Sequence, residues 1–318
     1  MARSPIKSRG RPLKSVKLRK KIIGLSLMAA AMVLALAWQA VYVGWFDKEL
    51  KVWVFDVGQG DAIFIETPEG KQILVDAGSD GTILTKLGEV MLPWDRTIDA
   101  VVVTHPHADH EGGLPEVLRR YQVGIIYETG VLGYDDLQEA VRELVEEHGT
   151  EIILTSEGVL PPSYATYGGG QGWGLGEELG LEVLAPDTNL QNKKLDNLNN
   201  ASIVLLLTYG DTSILLTGDA PIDEENQILD DLSEQVDVLK VAHHGSVTST
   251  SGNFLETVSP RYAIISVGAD NDYGHPHPAT LERLRARGIE MFRTDLDGDI
   301  LITSIGGEPT VESRPLPF

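Results

Sequence analysis

The chain has 318 residues, 42% hydrophobic and 23% charged, which excludes a disordered polymer and leaves room for one large core or two small ones. It has no cysteine, so disulfides, thiolate metal ligands and a lipidated N-terminal cysteine are excluded. The formal charge of −21 is uneven: Met1 to Lys21 is basic without a single acid, and the rest sits at about −30. Such a body repels nucleic-acid phosphates at long range, yet leaves room for a local site where metal ions supply positive charge.

Three segments follow in order. Residues 1–21 read as a basic cytoplasmic segment. Residues 22–46 are apolar apart from Ser26 and Gln39, about 25 residues, enough for one transmembrane helix. Trp38, Tyr42, Trp45 and Phe46 gather at its far end, as interfacial aromatics do, and the basic block holds the near end in the cytoplasm. The segment is expected as a signal-anchor, or as a cleavable signal peptide if Ala35-Leu36-Ala37 is cut. Either way residues 47–318, the main domain, lie outside: a single-pass protein of the cell membrane, or a secreted one if cleaved.

In that domain Lys51–Phe55 alternates as a strand, Asp56–Asp61 is a glycine-bearing turn, and Ala62–Thr67 returns. Gln72–Val75 is a strand ending in Asp76-Ala77-Gly78. Ala100–Val103 is another, followed by His105-Pro106-His107-Ala108-Asp109-His110. Leu114–Tyr121 and Asp135–His148 read as helices, with Ile125–Tyr127, Ile152–Leu154 and Leu181–Leu184 as strands. The Gly- and Pro-rich stretch Pro161–Gly180 reads as a long loop. Ile203–Tyr209 and Ser213–Leu216 form a hairpin ending in Thr217-Gly218-Asp219. Val236–Val241 ends in His243-His244-Gly245-Ser246, and Tyr262–Val267 precedes a loop carrying His275 and His277. Ala279–Gly288 is the last helix and Ile300–Ser304 the last strand. Two series of strands with interspersed helices imply an α/β fold of four layers, αββα.

Three of the eight histidines fall within six residues, at a strand's carboxyl end. Imidazole and carboxylate are the ligands borderline divalent ions prefer. The H-x-H-x-D-H spacing serves two ions, His105 and His107 turned to one, Asp109 and His110 to the other.

Taken in order, F-D-V-G-Q-G-D at Phe55–Asp61, I-L-V-D-A-G at Ile73–Gly78, T-H-P-H-A-D-H at Thr104–His110, L-L-T-G-D at Leu215–Asp219, L-K-V-A-H-H-G-S at Leu239–Ser246, I-S-V-G at Ile265–Gly268 and G-H-P at Gly274–Pro276 resemble the metallo-β-lactamase superfamily. Within it they resemble the hydrolase domain of ComEC-type competence proteins. The resemblance implies the metallo-β-lactamase fold and a divalent-metal cofactor, one or two ions of zinc or manganese. It implies His105 and His107 on the first ion, Asp109 and His110 on the second, Asp219 bridging, and His243 completing the second site. Asp76 would orient the metal loop and Asp61 would support it from behind. Asp109, His244 and His275 are the candidate catalytic residues, His244 and His275 as substrate or leaving-group contacts, with one of them a metal ligand or general acid, or as loop histidines beside the site. His277 is expected to be such a loop residue. Asn200 and Ser202 match the group's pattern; Ser246 and Thr248 would bind a phosphate oxygen or cap a turn.

One departure stands out. Many superfamily members carry a further histidine between the metal loop and the bridging aspartate; here that interval holds only His148, expected on a solvated helix face. Asp295–Asp299 lacks the length and terminal Glu of a calcium loop and is expected as a turn. The expected function is a metal-dependent phosphodiesterase or nuclease acting outside the membrane through a metal-activated water, with a phosphodiester partner that includes DNA. A small or cell-envelope phosphodiester, as for a phosphorylcholine esterase, is the rival substrate. A non-catalytic anchored binding domain is the rival class.

Overall fold

The computed structural model describes residues 13–46, 49–133, 135–155, 179–229, 232 and 235–314. Residues 1–12 of the basic segment and 161–178 of the Gly- and Pro-rich stretch lie outside them. The chain divides into two compact units, Met1–Lys48 and Glu49–Phe318. The first contains α1 (Leu13–Phe46). Within it Lys21–Trp38 is long and apolar enough to cross a membrane.

The second unit opens with β1 (Leu50–Val54), β2 (Ile63–Glu66) and β3 (Gln72–Val75), then α2 (Thr82–Val90) and β4 (Thr97–Val102). α3 (Ala108–Glu111), α4 (Leu114–Arg120), β5 (Gln122–Glu128), α5 (Asp135–His148) and β6 (Glu151–Leu154) complete the first series. The second runs β7 (Leu179–Ala185), β8 (Val204–Tyr209), β9 (Thr212–Leu216), α6 (Ile222–Ile228), β10 (Val238–Lys240), α7 (Gly252–Val258), β11 (Tyr262–Ile265), α8 (Pro278–Arg285) and β12 (Glu290–Arg293). α9 (Thr294–Asp297), β13 (Asp299–Ser304) and β14 (Thr310–Arg314) close the described chain.

Alternation along the strands sorts the core into layers. Val52 and Val54 of β1, Ala100 and Val102 of β4, and Leu205 and Leu207 of β8 meet in one cluster between the sheets. The opposite residues, Val101 and Ile98 of β4, pack with Leu87 of α2, Val117 of α4 and Val141 of α5. Val204 and Leu239 pack with Ile228 of α6, Phe254 of α7 and Leu284 of α8. The four layers are therefore helices, sheet, sheet, helices, as the strand and helix rhythm implied.

The two sheets do not follow the two series. Eight strands form one sheet in the order β14-β13-β1-β2-β3-β4-β5-β6, and six the other, β12-β11-β10-β9-β8-β7. Ile300–Ser304 was expected to end the second series. Instead β13 returns to lie antiparallel to β1, Leu50 opposite Ser304, and β14 follows it as a further edge strand. Ile300 and Ile302 enter the inter-sheet core this way. The short helices α2, α6 and α7 carry no sequence signal of their own; each is nine residues or fewer, too short for a periodic pattern to stand out.

β3 to β6 run parallel, as do β9 to β12. β1, antiparallel to β2, points the same way as β3. The loops after β1, β3, β4, β9, β10 and β11 thus leave the carboxyl ends of their strands, where open α/β sheets place their sites.

Candidate metal centre

The metal loop is held by Asp76, at the end of β3. Its carboxylate accepts the Thr104 N–H (2.8 Å) and hydroxyl (2.7 Å), and lies 2.8 Å from His110 Nδ1. Asp76 itself has φ 59°, a left-handed conformation uncommon for a non-glycine residue. The glycine turn after β1 presses on the loop from the other side. The Asp61 N–H donates to the Asp109 carbonyl, and a Cβ at Gly60 would sit 2.0 Å from that same oxygen, so only glycine fits there.

Among the described residues four overlapping groups of candidate ligands result, the ligand atoms of each within 4.8 Å of one another, and two of them face the cavity: His105, His107 and Asp219, and Asp109, His110 and His244. Asp219, at the end of β9, faces both. Its Oδ2 is 3.9 Å from His105 Nε2 and 3.7 Å from His244 Nε2, and its Oδ1 is 3.4 Å from His110 Nε2. Asp219 Oδ1 and His110 Nε2 are buried without a hydrogen-bond partner. Buried polar atoms left in this state, converging from imidazoles and carboxylates, fit a divalent ion.

The resemblance implies His243 in the closing place of the second group, with His244 or His275 as the alternative; the structure places His244 there, 3.2 Å from Asp109 Oδ2. His243 and His244 both have positive φ (51° and 54°), which turns the chain tightly and aims the two rings differently. His243 remains 3.7 Å from Asp219 Oδ2, half-buried, with Nδ1 beside the Thr248 hydroxyl. Asn200 is exposed and bonded to Asn197, whereas its neighbour Asn199 is buried against His243. Ser202 is buried and its Oγ accepts the Asp219 N–H, which fixes the shared carboxylate. Ser246 accepts the Thr248 N–H within its own turn. His275 stands 5.5 Å from His243, ring to ring. His277 caps α8 by accepting the Ala279 N–H, and His148 is exposed at the end of α5. Where a turn was expected at Asp295–Asp299 the chain forms the one-turn helix α9, and Asp297 accepts the Arg293 N–H at its start.

Lys240 was not singled out among the site residues. It is buried in β10, and its ammonium donates to Asp61 Oδ2 at 2.7 Å. Asp61 Oδ1 lies 3.4 Å from His244 Nδ1, which also meets the Ser266 carbonyl at 3.0 Å. These acceptors place the proton on Nδ1 and turn Nε2 toward Asp109 and Asp219. The signal was present: a lysine inside an apolar strand needs a buried partner.

Burial opposes charge on His110 and His244, but the surrounding carboxylates outweigh it. Asp219 and Asp76 raise His110 well above the ordinary histidine range, and Asp219, Asp109 and Asp61 push His244 up to about 9. Burial lowers His105 and His107 and, with His243 and His244, takes His275 down to about 4. Burial raises Asp219, yet His244 and His110 bring it well below the carboxylate range; against burial too, His244 and His110 bring Asp109 to about 2. The carboxylates are thus ready as anionic ligands.

Above these groups opens a cavity of about 490 Å³, lined by Gln59, His107, Asp109, His244, Tyr273 and His275 among others. Among the described residues, none that lines it is Lys or Arg.

The model of the metallo-beta-lactamase superfamily matches residues 55–269, and the chain belongs to that superfamily. It is 30% identical over 273 residues to ComE operon protein 3 of Bacillus subtilis, covering 80% of this chain and 33% of that protein. It is 31% identical over 256 residues to competence protein ComA of Neisseria gonorrhoeae, covering 79% and 32%. The chain therefore spans about a third of the length of these relatives. Among solved structures, a diphosphatase of the PhnP family aligns over 77% of this chain and 94% of its own, with 14% identity and a TM-score of 0.41.

Proposed function

We propose that this superfamily member is a metal-dependent phosphodiesterase acting on nucleic acid outside the cell membrane, held there by its apolar N-terminal helix. The observation that carries the reading is Asp219, one carboxylate facing two His/Asp groups on the floor of an open cavity. When bound there, divalent ions supply Lewis acidity and lower the pKa of a water, the chemistry phosphoester hydrolysis needs.

The chain's own residues do the rest. His105, His107, Asp109, His110, Asp219 and His244 would hold the ions. Asp76 fixes the ring of His110, and Asp61 with Lys240 fixes that of His244. Ser202 holds Asp219 in register. His275, kept neutral by burial and by its histidine neighbours, reaches the cavity as a candidate substrate contact. The competence relatives support DNA as the first substrate.

A second reading, a small or cell-envelope phosphodiester, draws on the lack of Lys and Arg among the described residues that line the cavity. A polyanion gripped along its length needs such cations. The full chain should be incubated with end-labelled single- and double-stranded DNA and, separately, with glycerophosphocholine, each with manganese or zinc, beside Asp109→Ala. DNA cleavage lost in the variant supports the first reading. Cleavage of the small ester alone moves the assignment to the second. Metal bound in wild type and no cleavage of anything tested supports a non-catalytic binding domain.

A further inference from the structure

The cavity rim carries one aromatic side chain that nothing above uses. Tyr273, on the loop between β11 and α8, is 71% exposed. Its ring is stacked on His275, centroids 5.8 Å apart and planes 21° from parallel. His275 meets His243 edge-on, and His243 Nε2 is 3.7 Å from Asp219 Oδ2. A file of rings thus leads from solvent to the shared carboxylate.

The loop is set in advance. The Asn271 carboxamide accepts the N–H groups of Tyr273 and His275 through Oδ1, at 3.2 and 3.0 Å. Its Nδ2 donates to the carbonyls of Gly268 and His275, both at 2.8 Å. Gly274, at φ +70°, supplies the left-handed turn between the two rings. Imidazole covers one face of the tyrosine, and its exposure leaves the other open. A loop backbone already held this way loses little entropy on gaining a ligand.

The chemistry of the rim narrows the ligand. A quaternary ammonium group is held by a cage of aromatic faces, and among the described residues Tyr273 is the one tyrosine that lines the cavity. A strand bound through its phosphates calls for Lys or Arg, and the described lining residues include neither. One open π-face beside the candidate metal centre suits a single planar base, since stacking tolerates any sequence and needs no charge.

We propose that Tyr273 is the stacking platform for the base of one unpaired nucleotide, whose neighbouring phosphodiester lies at the metal centre. The proposal rests on the phosphodiesterase reading and narrows it to single-stranded nucleic acid or a strand end.

The test compares the full chain with Tyr273→Ala and Tyr273→Phe in manganese. The substrates are a single-stranded oligonucleotide, the same backbone with abasic residues throughout, and glycerophosphocholine. The loss in Tyr273→Ala should fall on KM for the normal oligonucleotide, about tenfold or more, with kcat little changed and Tyr273→Phe close to wild type. The abasic strand should bind wild type as poorly as it binds Tyr273→Ala. An unchanged KM in Tyr273→Ala overturns the proposal, as does an equal loss on normal and abasic strands, which would mean the ring only props His275. Both leave the phosphodiesterase reading standing. Wild-type cleavage of glycerophosphocholine without either oligonucleotide overturns the base platform but keeps a phosphodiesterase. No hydrolysis of any of the three overturns both.

Discussion

Two buried lysine–carboxylate pairs in this domain share a geometry and differ in what lies beyond them. Lys240 meets Asp61 at 2.7 Å beneath the metal centre, and Lys86 of α2 meets Asp299 at 2.7 Å at the start of β13. All four side chains are 5% exposed or less. The second oxygen of Asp61 faces His244, a candidate metal ligand. Asp299 Oδ1 instead accepts the Asp56 N–H as well, tying the turn after β1 to the returning strand. The same pair is thus used once to aim a side chain and once to join segments distant in sequence. A buried ion pair is weak evidence of stability, and its value lies in what it holds in place.

The largest effect marks the limit of the site side. Asp219→Ala removes the carboxylate both ligand groups face and should weaken divalent-ion binding by more than about a hundredfold, measured by titration calorimetry. Next come the two lysines. Lys240→Met and Lys86→Met each strand a buried carboxylate and should each cost about 3–5 kcal/mol in denaturant unfolding. Only Lys240→Met should also weaken metal binding, by roughly 10- to 100-fold. Equal metal affinities in the two variants would erase the distinction between the pairs.

A smaller change sharpens it. Asp76→Asn keeps the shape beneath His110 but loses the anionic acceptor, and should weaken manganese binding about tenfold with a minor effect on unfolding. The smallest effect lies away from both pairs. Burial, then Asp187 and Asp223, raise the Glu224 carboxyl to about 8 from its ordinary 4.5. The folded state then keeps a proton that the unfolded chain releases, so this contribution is complete below about pH 4.5 and lost as pH rises to about 8. Glu224→Gln should flatten that part of the stability profile and gain roughly 1 kcal/mol at pH 8, with metal binding unchanged.

The metal loop was legible because the chemistry is written contiguously: His105, His107, Asp109 and His110 share one strand end. Asp219 and Asp76 came from the resemblance, and the structure brings both to the loop. The choice between His243 and His244 was not legible, since two adjacent histidines carry the same pattern and only the left-handed backbone at both decides which ring turns inward. The same holds for Asn199 and Asn200, whose short 3₁₀ turn buries one and exposes the other. The return of β13 to β1 was hidden for a different reason. A strand's alternation shows that one face is buried, but not which sheet covers it. Lys240 could have been read, since a lone cation in a buried strand asks for a partner; which carboxylate answers it depends on tertiary packing.

The most direct test is a manganese titration of the full chain and of Asp219→Ala, followed by calorimetry and by the electron paramagnetic resonance of bound ions. A carboxylate shared by two ligand groups predicts two ions per wild-type chain, magnetically coupled when both are present, and neither bound tightly in the variant. Wild-type protein that binds no ion, or a variant that binds as wild type does, would contradict a metal centre organised around Asp219.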